Sequence, residues 1–244
     1  MILLSALKKN QSLPEKIVVS DRNADTLGAL QQQFPNVRTV TGGNEEAAAQ
    51  DIVFVALHPP AAGEVLGSVK GAIKKDAVIV SLMPRLTIVQ LSGMLGGFSR
   101  IIRMIPNAPA VIGKGYNPLV YPVGLAKEEK AAMARFFTAF GTCPEVAEGK
   151  LEAYAVITAM GPTYLWFQLY ELEALAQSFG MTEGEAAEAV RQMAEGTLST
   201  MHVSGLAPER VMDLVPVKPI GADEKTILAS YREKIPRLYA KLKN

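Results

Sequence analysis

Short apolar runs rich in Val and Ile alternate with amphipathic stretches through the first part of the chain. Residues 16–20, 37–41, 51–57, 77–83, 100–105 and 118–123 read as strands, and 24–34, 60–73, 87–95 and 127–140 read as the helices between them. Residues 1–10 read as a further helix. Alternation of this kind predicts a largely parallel sheet covered by helices. The run Ile52-Val53-Phe54-Val55-Ala56-Leu57 is apolar at every position, as a strand covered on both faces requires. After about Gly149 the β-branched runs stop. Residues 152–179, 182–202, 208–214 and 223–243 carry helical patterns, interrupted by Gly161-Pro162, Gly180, Gly205 and the segment 216–221. The pattern predicts an α/β domain over 1–145, followed by an all-helical domain over 146–244.

Composition narrows the class. Lys and Arg total 25 against 24 Asp and Glu, so no charge excess would draw the chain to nucleic acid or to an anionic membrane. The apolar runs are strand-sized, far short of the ~20 residues that a membrane span needs. Residues 1–7 lack the basic leading region and small-residue cleavage site of a secretory signal. The single cysteine, Cys143, has no partner within the chain for a disulfide, and a cytoplasmic setting is expected. With two histidines and one cysteine, no zinc cluster is expected. Cys143 reads as a small buried apolar residue.

The run Ile17-Val18-Val19-Ser20, leading into Asp21-Arg22-Asn23, looks like the second strand of a dinucleotide-binding domain. There the residues after the strand grip the adenosine ribose. An NAD-specific fold commonly ends this strand in Asp or Glu, which repels a 2′-phosphate. Ser20 followed by Arg22 reverses the preference, because a guanidinium holds phosphate oxygens bidentately and Ser20 and Asn23 add neutral hydrogen bonds. NADP is expected, provided that Asp21 points elsewhere. The same residues also fit an ordinary polar turn in which Asn23 caps the next helix. Such folds open with a strand and a G-x-G-x-x-G turn before the first helix, yet the first glycine here is Gly28. That first strand is central in its sheet. Its absence is expected to be made good by residues upstream of Met1, by another segment or by a neighbouring chain; if by none, NADPH affinity should fall for want of helix-end amides at the pyrophosphate.

Arg103-Met104-Ile105-Pro106-Asn107-Ala108-Pro109-Ala110 closely resembles the R-x-M-P-N-T-P-A segment of the pyrroline-5-carboxylate reductases, which pass hydride from NADPH to a cyclic imine and so make proline. Other landmarks fall in the same order: Val19-Ser20-Asp21-Arg22-Asn23, residues 51–59 against a strand ending in A-V-K-P, Gly161-Pro162-Thr163-Tyr164 against G-P-A-Y, and Ser204-Gly205 before Asp213. The resemblance runs through nearly the whole chain, lacking the first strand and glycine turn. It implies a Rossmann-like parallel sheet, first strand absent, followed by a helical domain through which two chains intertwine as a homodimer or a higher oligomer. Each active site would lie at the domain and subunit boundary. It also implies that Ala56, Leu57, His58, Pro59 and Asn107 border the nicotinamide end of the cofactor. Thr158, in the place of a family serine, would hydrogen-bond the imine nitrogen, and Gly161, Pro162 and Thr163 would contact the substrate. The reaction requires a placed hydride donor, a polar partner for the nitrogen and a mount for a carboxylate, with no metal.

Several residues depart from the family. Met160 stands where a second serine is usual. The turn T-S-P-G-G-T-T, which offers amides and hydroxyls to the substrate carboxylate, is replaced by Pro216-Val217-Lys218-Pro219-Ile220-Gly221-Ala222. Lys218 and Gly221 remain the substrate-binding candidates there, with Lys218 as a point charge; a solvated surface lysine is the other reading. His58 replaces a family lysine and reads equally as a polar loop residue. Met83-Pro84-Arg85-Leu86 takes the place of a small A-A-G-V turn, and Arg85 reads either as a phosphate contact or as a solvated charge. Tyr154, Tyr164, Trp166, Phe167 and Tyr170 have the spacing of core or dimer packing. The lost groups leave two alternatives open: reduction of a different imine or oxo acid, and a noncatalytic dimer serving as scaffold or nucleotide sensor.

Overall fold

The computed structural model describes residues 1–243, and the chain divides into two compact units: Met1–Met160 joined by the chain end from Leu238, and Gly161–Arg237. In the first unit α1 (Ile2–Lys9), α2 (Ala24–Gln33), α3 (Asn44–Ala48), α4 (Pro59–Val69) and α5 (Ile88–Met94) alternate with β1 (Val18–Asp21), β2 (Arg38–Thr41), β3 (Ile52–Val55), β4 (Val78–Ser81) and β5 (Ile101–Met104). Local chemistry sets the helix starts. Asn23 accepts from the amides of Asp25 and Thr26 to cap α2, Pro59 occupies the first turn of α4, and Thr87 forms a reciprocal capping box with Gln90 at α5. Beyond β5 come β6 (Gly115–Tyr116), β7 (Leu119–Val120), α6 (Lys127–Phe137) and β8 (Gly141–Thr142).

The parallel sheet is in two pieces. β1 pairs with β2, while β3, β4 and β5 pair in that order, with β7 antiparallel at the far edge. Within each piece the order matches the doubly wound order 3-2-1-4-5-6 taken without its first strand. All four residues of β4 and of β5 are buried, whereas all four of β1 are only half-buried. Among the described residues, one edge of β1 and one of β3 therefore carry no strand partner. Helix α1 touches both pieces: Leu4 packs with Ile17 and Val19, and Leu3 joins the core that holds Ile52 and Phe54.

The core follows the strand period of two. Val78, Val80, Ile102 and Met104 face Ala6, Leu7, Phe137 and Phe140 on one side of the sheet. Ile79 and Ile101 face Leu66, Met83 and Leu91 on the other. Each fully buried Ile or Leu contributes about 1.5–3 kcal/mol relative to exposure, so β4 and β5 anchor the unit.

The helical stretch over 152–179 is interrupted at Gly161-Pro162 as expected, and it also holds a π-helical turn: α7 (Leu151–Tyr154), the turn at Ala155–Ala159 and α8 (Pro162–Ser178) follow in order. Pro162 lacks an amide hydrogen and so begins a helix instead of continuing one. α9 (Glu183–Val203), α10 (Pro208–Met212) and α11 (Glu224–Lys243) follow. Within the second unit only Ala186 and Val190 are buried, while Leu165, Trp166, Phe167, Tyr170, Leu175 and Phe179 are exposed. No helix among the described residues is long and apolar enough to cross a membrane.

Candidate active site

Ligands of open α/β sheets bind outside the carboxyl ends of the strands. Ser20 to Asn23 lie at that end of β1. The Ser20 hydroxyl donates to Asn44 Oδ1 at 2.8 Å, which brings the start of α3 to the strand end. Asp21 Oδ1 accepts from the Asn23 amide at 2.8 Å, so the acidic side chain is turned back into its own loop. Asn23 Oδ1 is occupied by the α2 cap. Arg22 is exposed, and among the described residues its guanidinium has no hydrogen-bond or ion-pair partner. At the end of β3, Ala56 and His58 are exposed, Leu57 and Pro59 are half-buried, and His58 precedes α4 without capping it through its side chain.

The structure brings Asn107 and Thr158 together. Asn107 is 8% exposed; its Oδ1 accepts from the Tyr116 amide at 3.0 Å and its Nδ2 donates to the Thr158 carbonyl at 3.3 Å. That carbonyl lies in the π-helical turn, where the regular i to i+4 ladder is interrupted and backbone oxygens are freed for other donors. The Thr158 hydroxyl donates to the Tyr154 carbonyl at 2.8 Å, leaving its oxygen lone pairs to accept. Asn117, which sequence reading did not single out, completes the group. Fully buried, it accepts from the Asn107 amide at 3.0 Å and donates to the Phe140 carbonyl at 3.0 Å. The approach is close: a Cβ on Gly115 would stand 2.5 Å from the Phe140 carbonyl oxygen, so only glycine fits there.

A second unforeseen group lies beneath the strand ends. Arg103, in β5, is 1% exposed and bonds Glu152 at 2.8 Å and Glu148 at 3.0 Å. Each carboxylate reaches on to the β4–α5 turn. Glu152 Oε1 accepts from the Arg85 amide at 3.2 Å and Glu148 Oε1 from the Ile88 amide at 2.7 Å, the latter at the positive end of α5. Burial pushes the Glu152 carboxyl up, but its bonds to Arg103 and to the Arg85 amide outweigh that and hold it below the ordinary carboxylate range. Arg103 Nε is buried without a partner among the described residues. A single charge inside an otherwise apolar strand, Ile101-Ile102-Arg103-Met104-Ile105, was the signal available.

In the second unit Gly161, Pro162 and Thr163 open α8, directly after the π-helical turn, and the Gly161 carbonyl accepts from the Tyr164 amide at 2.9 Å. Lys218 and Gly221 line a recess of about 380 Å³ with Met212, Val217, Ile220 and Leu228. The Lys218 ammonium lies 3.8 Å from the Asp213 carboxylate, and both are exposed. Of the aromatic group, Tyr164 stands edge-on to Tyr231 with ring centroids 6.0 Å apart. In the first unit Tyr154 meets Tyr116 at 6.2 Å. Cys143 is half-buried against the β4–β5 core, and burial raises its thiol. Among the described residues no cluster of His, Cys, Asp or Glu forms a metal site.

A family model described as NADP oxidoreductase, coenzyme F420-dependent, matches residues 1–85. Pyrroline-5-carboxylate reductase of Escherichia coli strain K12 is 27% identical over 214 residues, covering 88% of this chain and 79% of that protein. Pyrroline-5-carboxylate reductase 2 of Bacillus subtilis strain 168 is 27% identical over 210 residues, 86% of this chain and 74% of that protein. The crystal structure of Plasmodium falciparum pyrroline carboxylate reductase with NADP bound superposes with a TM-score of 0.80 at 20% identity, over 99% of this chain and 92% of the other, a likeness of fold. A doubly wound sheet followed by a helical unit, together with these likenesses, defines a dinucleotide-dependent oxidoreductase of Rossmann type. Within that class, the chain is similar over most of its length to the pyrroline-5-carboxylate reductases.

Proposed function

We propose that this protein reduces a small cyclic imine, 1-pyrroline-5-carboxylate, to proline with NADPH. The observation that carries the reading is the bond from Asn107 to the π-helical carbonyl of Thr158, which holds the Thr158 hydroxyl at a fixed place beside the end of β5. Because that hydroxyl already donates to Tyr154, it meets substrate as an acceptor and suits the N–H of a protonated imine. Hydride adds to the imine carbon, the C=N π pair becomes the nitrogen lone pair, and the N–H held by Thr158 stays in the amine. The reduced dinucleotide, when bound, supplies the hydride. Arg22, with Ser20 and Asn23, faces the 2′-phosphate that distinguishes NADP from NAD; the inward turn of Asp21 supports this reading. Ala56, Leu57, His58 and Pro59 border the nicotinamide end, while Gly161, Pro162, Thr163, Lys218 and Gly221 serve the substrate.

In this reading residues 1–145 bind the nucleotide and 146–244 serve substrate binding and dimerisation. The apolar side chains exposed along α8, from Leu165 to Phe179, form a surface too extensive for a solitary soluble chain. A second copy of the chain covers it, and the setting is cytoplasmic. The test is to follow NADPH absorbance with purified protein and 1-pyrroline-5-carboxylate, sedimenting the same preparation. Oxidation of NADPH by a dimer is expected, with NADPH preferred over NADH; a monomer without turnover would sink the reading. The segment 216–222 favours one alternative, another carboxylated imine or an oxo acid, and the same assay with those substrates separates the two.

A further inference from the structure

We propose that Arg85 holds the carboxylate of the substrate; the inference rests on the reductase reading above and gives that carboxylate a bidentate partner beyond the point charge of Lys218. Arg85 has φ +77, and the only other non-glycine residue in the left-handed region among the described residues is Gln11 at φ 52. A non-glycine residue held there is strained and persists where its surroundings over-determine it. Here they do. The Arg85 amide is bonded by Glu152, which is 6% exposed and is itself fixed by the buried Arg103. Ile88, three residues on, is bonded by Glu148, so the turn is pinned at both ends from beneath.

That fixed backbone carries a side chain which is exposed and, among the described residues, has no ion pair or hydrogen bond. The turn follows β4, whose last residue, Ser81, stands in register between Val55 of β3 and Arg103 of β5. It therefore lies at the carboxyl ends of the strands, where ligands of this architecture bind. Glu152, which grips the Arg85 amide, lies six residues before Thr158. A guanidinium presents two parallel N–H donors to a carboxylate. Pro216-Val217-Lys218-Pro219-Ile220-Gly221-Ala222 offers no side-chain hydroxyl, and two of its residues are prolines without an amide donor. A charge gained in the β4–α5 turn answers donors missing elsewhere in the chain.

The test compares L-proline with L-prolinamide, and pyruvate with its amide, as ligands of the NADP-loaded protein by calorimetry. Wild type, Arg85→Gly, Arg85→Ala and Arg85→Lys are measured side by side. Arg85→Gly keeps the left-handed turn without strain and should melt no lower than wild type. The expected result is a loss of tenfold or more in carboxylate affinity for Arg85→Gly and Arg85→Ala and a smaller loss for Arg85→Lys. Amide binding and NADPH affinity should stay within twofold throughout. Equal losses for carboxylate and amide, no loss at all, a fall in NADPH affinity instead, or a wild type that binds neither carboxylate would each overturn the proposal. Should wild type bind a carboxylate through Arg85 and yet leave NADPH unoxidised with 1-pyrroline-5-carboxylate, the reductase reading falls and the assignment of Arg85 stands.

Discussion

At the scale of single residues, the site depends on what a side chain is already bonded to. Thr158 donates to Tyr154, so replacing it with valine removes the acceptor proposed for the imine nitrogen while keeping a β-branched shape. Thr158→Val should lower kcat with 1-pyrroline-5-carboxylate by about 10²-fold, the usual scale for one lost polar contact to a reacting group. The melting temperature and NADPH affinity should barely change. Stopped-flow NADPH oxidation checks the first, and an unchanged kcat would remove Thr158 from the chemistry. The motifs around Asn107 and Thr158 led to the expectation that the two lie together, and they do. Their bond was not legible, because the freed carbonyl exists only where the helix widens into a π turn, which no residue type announces. Asn23 illustrates the opposite case: its side chain is taken up by the α2 cap, the ordinary role of asparagine before a helix.

At the scale of elements, Arg103 and its two carboxylates tie α7 and the residues before it to the β4–α5 turn. Glu152→Gln keeps the shape but leaves the buried guanidinium with one carboxylate, and should destabilise the protein by about 3 kcal/mol. Its pH dependence follows from the lowered carboxyl. A depressed acid contributes stability that is fully present above its unfolded value, about 4.3, and is lost as pH falls through its folded value. Urea midpoints of wild type and Glu152→Gln should therefore differ most near pH 7 and converge on acidification below pH 4; a gap that persists at pH 3 would contradict the account. Strands were readable from their Val and Ile runs, and each of the first five falls inside or within one residue of its expected segment. Helix α3 was missed because five residues are too few for periodicity, and the break at Gly161-Pro162 was legible where the π-helical turn at Ala155–Ala159 was not.

At the scale of the whole molecule, the alternation of strand and helix made the fold class legible before any contact was known, and the stop of β-branched runs marked the helical region. The unpaired edges of β1 and β3 followed from strand order alone. Sequence did not reveal that the first sheet piece would be so lightly packed, since Val18 and Val19 are as apolar as Val78 and Ile79, yet only the latter pair is buried. No backbone ladder links the two pieces, so each has its own opening free energy. Amide exchange at Val19 and Ser20 should outpace that at Val80 and Ile102 by orders of magnitude; equal rates would mean that the pieces unfold as one. The piece that carries Ser20 is then free to open by itself, while the piece that carries Arg103 stays closed. A dinucleotide seated as proposed would loosen first at its adenosine end, with its reactive ring still in register.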